Sequence, residues 1–293
     1  MSHIYRLGLI GWPLAHSFSP RLHLAALRAC GLDGKYHLYP IDPLPAGQAG
    51  LTGLVGRLRQ GELDGLNVTI PHKQAVAQLA DDLTPTAQAT GAVNTLYRSG
   101  GQVVGDNTDA AGFWNDLEDQ AAHLANSSWH PTGTALVLGA GGAARATVYA
   151  LSRHGWQVYL AARRPEQAQR LASDFSKFIP APVPLERPLA EASARLAEIK
   201  FDLLVNATPA GMLPNISESP WPENLPLPPD CWVYDLVYNP PETFLLLQAR
   251  QQGNLASNGL GMLVHQAALA FLLFTGLPAE KLPQVLNIMR AAL

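Results

Sequence analysis

The sequence lacks most features of secreted, membrane and metal-binding proteins. Its 293 residues include two cysteines, Cys30 and Cys231, which do not have the spacing of a disulfide framework or a redox motif. The nine histidines form no His-Glu-x-x-His pattern, so we expect no metal site. No basic run followed by an apolar stretch opens the chain, and the apolar run at 267–274 is too short to cross a bilayer. These absences predict a cytoplasmic protein.

The sequence also lacks an excess of charge of either sign. Twenty Lys and Arg residues stand against 23 Asp and Glu, a net charge of −3, which gives no reason to expect nucleic acid or an anionic membrane as a partner. The hydrophobic content of 47% is ordinary for a globular protein. The length predicts two domains, at about 150 residues per domain.

A glycine-rich turn follows an apolar strand in the middle of the chain. Residues 134–138 read Thr-Ala-Leu-Val-Leu, and helix formers follow a turn made of Gly139, Ala140, Gly141, Gly142 and Ala143. Gly139 permits a tight turn, Gly141 lets the backbone approach a pyrophosphate, and Ala144 allows the helix to pack closely on the strand. The pattern predicts a dinucleotide site in which the amides at the helix start bind the phosphates.

The next strand indicates which dinucleotide binds. After a predicted strand at 156–160, an NAD-binding chain would place an acidic residue about 20 residues past the first glycine. Here the strand runs into Ala161, Ala162, Arg163 and Arg164, with no carboxylate before Glu166. Two guanidinium groups suit a 2′-phosphate, whereas the alternative is a pair of solvated arginines. We favour NADP over NAD.

Two serines flank the first predicted helix. A strand at 5–11 leads to Ser17, Ser19 and Pro20, and residues 21–30 are predicted to be helical. Ser19 with Pro20 forms a typical N-cap, which would account for both residues. The alternative is that the Ser17 and Ser19 hydroxyls bind a carboxylate, because a helix N-terminus favours anions.

A lysine lies in an unusual position after a short buried strand. The segment 63–73 reads as a strand that enters a helix continuing to residue 79, with Pro71 in the first turn. Lys73 would then oppose the helix dipole, at a cost of roughly 0.3–1 kcal/mol. A residue that breaks a local rule is a functional candidate, and the alternative is a lysine that extends into solvent.

A predicted hairpin ends in a run of polar residues. Segments 92–97 and 102–105 form the hairpin, the run at 106–109 reads Asp-Asn-Thr-Asp, and a helix is predicted over 111–124. Thr108 or Asp109 is the simplest cap of that helix. Because four polar side chains exceed what capping needs, the run indicates a site.

The second half of the chain alternates strands with helices. Strands are predicted near Val183 and at 201–205, 231–237 and 255–257, a helix at 244–251, and a polar joint at 126–133 before the dinucleotide domain. This alternation predicts a parallel sheet with ligands beyond the carboxyl ends of its strands, where residues 206–212 and 238–239 lie. A buried helix then opens at 259. It carries Gln266, whose amide needs a backbone or a ligand partner, and a last helix covers 279–290.

Together these motifs resemble the shikimate dehydrogenase family over essentially the whole chain. The matching motifs, in order, are Gly11-x-Pro13-x-x-His16-Ser17-x-Ser19-Pro20, Asn67-Val-Thr69-x-Pro71-x-Lys73, Gly91-Ala-Val-Asn94-Thr95, Gly105-Asp-Asn-Thr-Asp109, Gly139-Ala-Gly-Gly-Ala, Asn206-Ala-Thr208 and Gly261-Met-Leu-Val-x-Gln266. Seven motifs in the right order make coincidence implausible.

The resemblance implies an enzyme that reversibly reduces 3-dehydroshikimate to shikimate with NADPH, a step toward chorismate and the aromatic amino acids. It implies an α/β fold of two domains. These are an N-terminal α/β substrate domain at 1–110 and a Rossmann-like, doubly wound NADP domain at 111–256, with C-terminal helices at 257–293 packing back on the first domain. The partner is a small molecule, and the assembly is a monomer or a homodimer.

The resemblance also assigns roles to individual residues. Lys73 and Asp109 form the catalytic pair. The substrate carboxylate is bound by Ser17 and Ser19, assisted by Thr69 and Tyr238, and the ring hydroxyls by Asn94, Asp109 and Gln266. The residues expected at the cofactor are Gly139, Ala140, Gly141, Gly142, Ala143, Arg163, Arg164, Thr208, Gly259 and Met262.

Two departures from the family pattern leave details open. Many members have Asn after the helix histidine, where this chain has Leu24 after His23, and many have Asn-Arg-Thr where it has Ala162-Arg163-Arg164. Arg163 matches the family arginine, whereas Arg164 either adds to the phosphate site or faces water. The alternative functions are an NAD-using quinate/shikimate dehydrogenase or related side-branch enzyme, and a catalytically silent NADP-binding sensor.

Overall fold

The chain consists of two compact units. The computed structural model describes residues 3–123, 130–185, 189–191, 196, 198–223 and 225–293. The first unit comprises Met1–Gly112 with Leu263–Leu293, and the second comprises Phe113–Met262. The predicted domain boundaries at 110/111 and 256/257 stay predictions, because a compact unit is not by itself a functional domain. Residue 124 of the predicted helix and residues 126–129 of the predicted joint lie outside the described residues.

The first unit is built on a six-stranded mixed sheet. Its elements are β1 (Tyr5–Gly11), α1 (Ser19–Ala29), β2 (Gly34–Pro40), α2 (Gln48–Arg59), β3 (Gly65–Val68), β4 (Asp82–Leu83), α3 (Pro85–Thr90), β5 (Thr95–Ser99), β6 (Gln102–Asp106) and the start of α4 (Thr108–His123). The strand order is β2-β1-β3-β5-β6-β4. Since β1 and β3 are parallel and β5 is antiparallel to both β3 and β6, the carboxyl ends of β1, β3 and β6 share one edge with the start of β5.

The second unit is a doubly wound parallel sheet, as predicted. Its elements are β7 (Thr134–Leu138), α5 (Gly142–Arg153), β8 (Gln157–Ala161), α6 (Pro165–Phe175), β9 (Val183–Pro184), β10 (Leu203–Asn206), β11 (Trp232–Asp235), α7 (Phe244–Gln251) and β12 (Ala256–Asn258). The order β12-β11-β10-β7-β8-β9 reverses beside β7, which carries the glycine-rich turn. The central strands are apolar runs because a parallel sheet is covered on both faces.

The C-terminal helices belong to the core of the first unit. They are α8 (Leu260–Thr275) and α9 (Leu282–Ala291). Leu7 and Leu9 of β1 pack in one cluster with Phe271 of α8, whereas Ile10 packs in another with Leu51 of α2. Alternate side chains of a strand point to opposite faces, so the two clusters cover the two faces of the sheet.

The predicted helix around Lys73 is wrong. Residues 71–75 form turns, followed by a 3₁₀ turn at Val76–Gln78. In an α-helix the Lys73 carbonyl would accept from the amide of residue 77. Instead it accepts from Val93 N at 2.7 Å, on a distant segment. Lys73 therefore does not oppose a helix dipole and breaks no local rule of helix formation.

Two predicted helix caps are also wrong. Helix α1 already includes Ser19 and has Phe18 as its N-cap; the hydroxyl of Ser17 accepts from Ser19 N at 3.3 Å. Helix α4 begins at Thr108, and Asn107 Oδ1 accepts from Ala110 N at 3.2 Å. Thr108 and Asp109 do not cap because their side chains are bonded to other segments of the first unit.

Membrane spans and metal sites were both predicted to be absent. None of the helices in the described part of the chain is long and apolar enough to cross a membrane. Among those same residues, no three His, Cys, Asp or Glu side chains are grouped so that they could hold a metal ion. For the whole chain, the two absences stay predictions.

A fully buried histidine lies between α1 and β2. The His23 ring stacks on Tyr36, with centroids 4.6 Å apart and planes 17° from parallel. Neither ring nitrogen makes a hydrogen bond of good geometry. Burial lowers the pKa of His23 to about 3, although the neighbouring Asn67 side chain opposes the shift. His23 is therefore neutral in the folded protein across the physiological range.

This burial makes stability sensitive to acid. The unfolded chain protonates His23 below about pH 6.5, whereas the folded chain does so only near its pKa of about 3. Stability is thus fully present above the unfolded pKa and falls with pH between these values, by up to about 1.4 kcal/mol per pH unit. We expect His23→Phe, which keeps a stacking ring, to lose less stability between pH 7.5 and 5 in urea unfolding.

Replacement of an exposed histidine provides the control for this prediction. His37→Gln, on β2, should leave the pH dependence of the free energy of unfolding unchanged. An equal loss of stability in wild type and His23→Phe would contradict the prediction.

Candidate active site

Polar side chains converge at one edge of the first unit's sheet. Thr69 follows β3, Asn94 precedes β5, and Asp109 follows β6 by three residues. These strand termini share the edge described above, so residues far apart in sequence become neighbours. The same edge receives the segment after β1, which carries Ser17 and Ser19.

Lys73 and Asp109 form a direct ion pair at this edge. Lys73 Nζ donates to Asp109 Oδ2 at 2.5 Å. The pair is sheltered from solvent, since the Lys73 side chain is 15% exposed and the Asp109 side chain 5%. The ammonium thus has a fixed direction and enough exposure to meet a bound molecule.

Asn94 fixes the second oxygen of the carboxylate. Its Nδ2 donates to Asp109 Oδ1 at 2.9 Å and to Thr108 Oγ1 at 2.8 Å. Its Oδ1 accepts from Thr108 N at 2.7 Å, which fixes the orientation of the amide. With both oxygens bonded, Asp109 is held in one rotamer.

Gln266 joins the same network from the C-terminal helix. Its Oε1 accepts from Asn94 Nδ2 at 3.3 Å, and its Nε2 donates to Leu263 O at 2.8 Å. Helix α4 approaches closely here, since a Cβ on Gly112 would lie 2.8 Å from Gln266 Cβ. The half-buried amide therefore has a backbone partner, and its carbonyl end is part of the site.

The serine segment is bonded to the strand that carries Thr69. Thr69 N donates to Ile10 O at 2.8 Å, and Trp12 N donates to Ile70 O at 2.9 Å. Ser19 is buried and Ser17 half-buried. These contacts place Thr69 beside the segment leading to the two serines, although no hydrogen bond joins their side chains among the described residues.

Asn67 is a polar residue for which the sequence predicted no role of its own. It is 4% exposed on β3, and its Oδ1 accepts from the Tyr36 hydroxyl at 2.9 Å. Its Nδ2 makes no hydrogen bond of good geometry, although the side chain neighbours the His23 ring. A buried donor without a partner is unusual, and Asn67 lies on the same face of the strand segment as Thr69. Its position at the start of the Asn67-Val-Thr69 motif was the available signal.

The glycine-rich turn in the second unit has the geometry that a dinucleotide requires. Gly139 has φ +113°, and a Cβ there would lie 3.0 Å from Ala207 O. Gly141 is the N-cap of α5 with no side-chain cap, and a Cβ on it would meet no atom within 4 Å. Ala144 is fully buried. The amides at the start of α5 are therefore open to a phosphate, and the residues fit a dinucleotide.

The remaining predicted cofactor residues differ in their surroundings. Arg163 and Arg164 are exposed just after β8 and form no ion pair with any described residue. The Thr208 hydroxyl donates to Asn206 Oδ1 at 2.7 Å, so it shapes its own loop. Gly259 and Met262 are buried.

Tyr238 belongs to the second unit, whereas the other predicted substrate residues belong to the first. It lies three residues beyond β11 and is half-buried. Burial raises the pKa of its phenol, so the hydroxyl is protonated near neutral pH.

Comparisons with known proteins agree with this geometry. Family models for the shikimate dehydrogenase substrate binding domain and the shikimate 5′-dehydrogenase C-terminal domain match residues 9–96 and 259–293. The NADP⁺ shikimate dehydrogenase of Salinibacter ruber is 42% identical over 275 residues, 92% of each chain. That of Methanopyrus kandleri is 40% identical, covering 98% of this chain and 93% of the relative.

Solved structures give the same result. The Thermus thermophilus shikimate 5-dehydrogenase, in complex with NADP(H) and shikimate, has a TM-score of 0.79 and 38% identity, covering 99% of this chain and 100% of that one. A quinate dehydrogenase from Corynebacterium glutamicum in complex with NAD has a TM-score of 0.81 and 33% identity, with coverage of 99% and 100%. With a 42% identical relative aligned over nine-tenths of both sequences, the chain belongs to the shikimate dehydrogenase family.

Proposed function

We propose that this chain catalyses the reversible, NADPH-dependent reduction of 3-dehydroshikimate to shikimate. The observation that carries the proposal is the sheltered Lys73–Asp109 pair, oriented by Asn94 at the strand edge. The relatives of this chain in Salinibacter ruber and Methanopyrus kandleri are named NADP⁺ shikimate dehydrogenases, which supports this substrate and cofactor.

The substrate has a carboxylate and several hydroxyls, and the proposed residues match both. Ser17, Ser19 and Thr69 supply neutral hydroxyl donors for the carboxylate, with the Tyr238 phenol as a fourth. Asn94, Asp109 and Gln266 present amide and carboxylate groups to the ring hydroxyls. We add Asn67, because its unbonded Nδ2 beside Thr69 is a donor for which binding would supply an acceptor.

Carbonyl reduction requires a hydride and a proton. NADPH, when bound, supplies the hydride, and the Lys73 ammonium donates the proton to the oxygen that becomes the alkoxide. Asp109 accepts from the ammonium and aims it, and Asn94 keeps the carboxylate from rotating away. In the oxidation direction the same pair must accept the proton.

The first test is whether Lys73 and Asp109 act together in proton transfer. Lys73→Ala should lower kcat by about 10²- to 10⁴-fold, the usual range for general acid–base catalysis. Asp109→Asn should also lose activity with the fold intact. The double variant should be scarcely worse than the poorer single variant, because residues that act together are strongly non-additive. Fully multiplicative losses in steady-state kinetics would mean independent roles.

The proposed cofactor residues form two groups, which bind different parts of NADP. We propose that residues 139–143 and the start of α5 hold the pyrophosphate, where Gly141 leaves open space. Arg163 meets the 2′-phosphate, with Arg164 beside it, both being exposed and without an ion pair in the described part of the chain. Thr208, Gly259 and Met262 complete the site.

A matched pair of variants separates these two contacts. Arg163→Ala should weaken NADP⁺ by about 1.5–3 kcal/mol, or roughly 10- to 150-fold, and leave NAD⁺ nearly unchanged, since NAD⁺ has no 2′-phosphate. Gly141→Ala, whose methyl meets no protein atom, should fold normally and weaken both cofactors alike. Titration calorimetry measures both affinities. Equal losses of NADP⁺ and NAD⁺ in Arg163→Ala would remove Arg163 from the phosphate.

The second candidate function is that of a quinate/shikimate dehydrogenase that uses NAD. The similarity to the Corynebacterium glutamicum quinate dehydrogenase keeps this alternative within the same fold. The second serine, Ser19, and the two arginines after β8 weigh against it. A silent NADP-binding sensor would have no need of an intact Lys73–Asp109 pair.

Substrate preference provides the next test. We expect the purified protein to oxidise shikimate much faster than quinate, because quinate carries an additional hydroxyl for which the proposed residues include no hydrogen-bond partner. Absorbance at 340 nm with each substrate and with NADP⁺ or NAD⁺ measures it. A kcat/KM for quinate equal to or above that for shikimate would favour the quinate/shikimate dehydrogenase. No turnover of either substrate would favour the silent NADP-binding sensor.

We propose no macromolecular partner beyond a second copy of the chain. The net charge of −3 offers no electrostatic attraction for nucleic acid. The assembly is a monomer or a homodimer, which sedimentation analysis distinguishes.

A further inference from the structure

The loop after β10 takes its shape from the Asn206 side chain. Asn206 Oδ1 accepts from Thr208 N at 2.9 Å and from Thr208 Oγ1 at 2.7 Å. Thr208 Oγ1 in turn accepts from Ala210 N at 3.2 Å. An Asn that bonds to the backbone two residues ahead mimics a backbone turn. The conformation of residues 206–210 therefore depends on which way the Asn206 amide points.

Asp235 holds the amide in that direction together with the Thr208 amide and with Ala210 O, which accepts from Asn206 Nδ2 at 3.3 Å. Asn206 and Asp235 are paired in register at the ends of β10 and β11, and both are fully buried. Asn206 Nδ2 donates to Asp235 Oδ1 at 2.8 Å. An ionised carboxylate can only accept, so it requires the donor end of the amide. If the amide flipped, its oxygen would face the carboxylate and its NH₂ group would face the Thr208 amide.

Asp235 is itself held on its other sides. Val237 N donates to Asp235 Oδ1 at 3.0 Å, and Thr243 Oγ1 donates to Asp235 Oδ2 at 2.6 Å. Burial raises the pKa of Asp235 to about 6, while these hydrogen bonds oppose the shift. The carboxylate is thus mostly ionised at neutral pH and bonded to donors from three segments.

The loop touches the glycine-rich turn. A Cβ on Gly139 would lie 3.0 Å from Ala207 O and 3.2 Å from Thr208 Cγ2. Ala207 N also donates to Leu138 O at 2.9 Å, at the end of the strand before Gly139. A change in the shape of the 206–210 loop would therefore reach the backbone that meets the pyrophosphate.

We propose that Asp235 is a positioning residue for the cofactor site, which acts through Asn206 to hold the 206–210 loop against the glycine-rich turn in the shape that receives NADP. The inference rests on the proposed function, since it requires that this turn bind the dinucleotide. Asp235 touches no substrate or cofactor atom in this role, and its effect is on cofactor affinity.

The test compares two replacements of the carboxylate. Asp235→Ala removes the shorter of the two acceptors of Asn206 Nδ2 and leaves that buried group with Ala210 O at 3.3 Å, so the amide is held less firmly and the Kd of NADP⁺ should rise about 10- to 100-fold. Asp235→Asn can keep an oxygen toward Asn206 and Val237 and turn its NH₂ group to Thr243, so its Kd should stay within about threefold of wild type. NAD⁺ should follow NADP⁺, because the loop is at the glycine-rich turn. Titration calorimetry on the full chain without substrate measures these affinities.

A control variant that lowers the stability of the second unit at another place shows whether a loss of stability alone raises the Kd of NADP⁺. Phe201→Leu, in the hydrophobic core of the second unit, should lower Tm without raising the Kd of NADP⁺. If Asp235→Ala does not fold, Asn206→Ala removes the same turn-forming amide, and the same rise in Kd is expected. In steady-state kinetics the KM for NADP⁺ should rise more than kcat falls.

The outcomes separate this inference from the proposed function. A wild-type protein that binds no NADP⁺ would refute the proposed function itself. If wild type binds NADP⁺ and a folded Asp235→Ala binds it equally well, only the positioning role is overturned; where Asp235→Ala does not fold, Asn206→Ala decides in the same way. The same conclusion follows if Phe201→Leu raises the Kd as much as Asp235→Ala at an equal loss in Tm.

Discussion

The hydrogen bond from Asn94 to Asp109 is the interaction on which the site in the first unit depends. A carboxylate as buried as Asp109 is costly unless it is paired and hydrogen-bonded. Lys73 satisfies one oxygen and Asn94 the other. The same Asn94 amide also bonds to Gln266, which is 172 residues away in sequence. One buried amide thus links two strand ends and a C-terminal helix, so the geometry of the chemistry is set by the fold.

Much of the second unit could be predicted because its signals are local. Parallel strands buried on both faces are short apolar runs, and the glycines between β7 and α5 mark the turn directly. Lys73 shows where local patterns fail. Its carbonyl is bonded to Val93, and no spacing within residues 63–79 indicates that partner. Similarly, Asn107 caps α4 because Asn94 and Lys73 occupy the side chains of Thr108 and Asp109.

The candidate site was predictable in its residue types but not in its bonding. The motifs named Asn94, Asp109 and Gln266 as neighbours of a ligand, yet only the structure gives Asn94 its second task of orienting Asp109. Asn67 was overlooked because an Asn at the end of a buried strand has no periodic signature. Its significance appears only when the partners of its amide are counted, and one end has none.

In both units a buried aspartate and a buried asparagine orient each other through the same hydrogen bond. In the first, Asn94 Nδ2 donates to Asp109 Oδ1 at 2.9 Å, and in the second, Asn206 Nδ2 donates to Asp235 Oδ1 at 2.8 Å. In each pair the carboxylate accepts only, so it fixes which end of the amide faces it. The amide oxygen is then free to accept a backbone N–H, that of Thr108 or Thr208. A serine or a second carboxylate could not do both, because the first lacks the reach and the second lacks the donor. Buried asparagine beside aspartate therefore sets the backbone next to each site, and leaving either partner unpaired would cost about 1–3 kcal/mol.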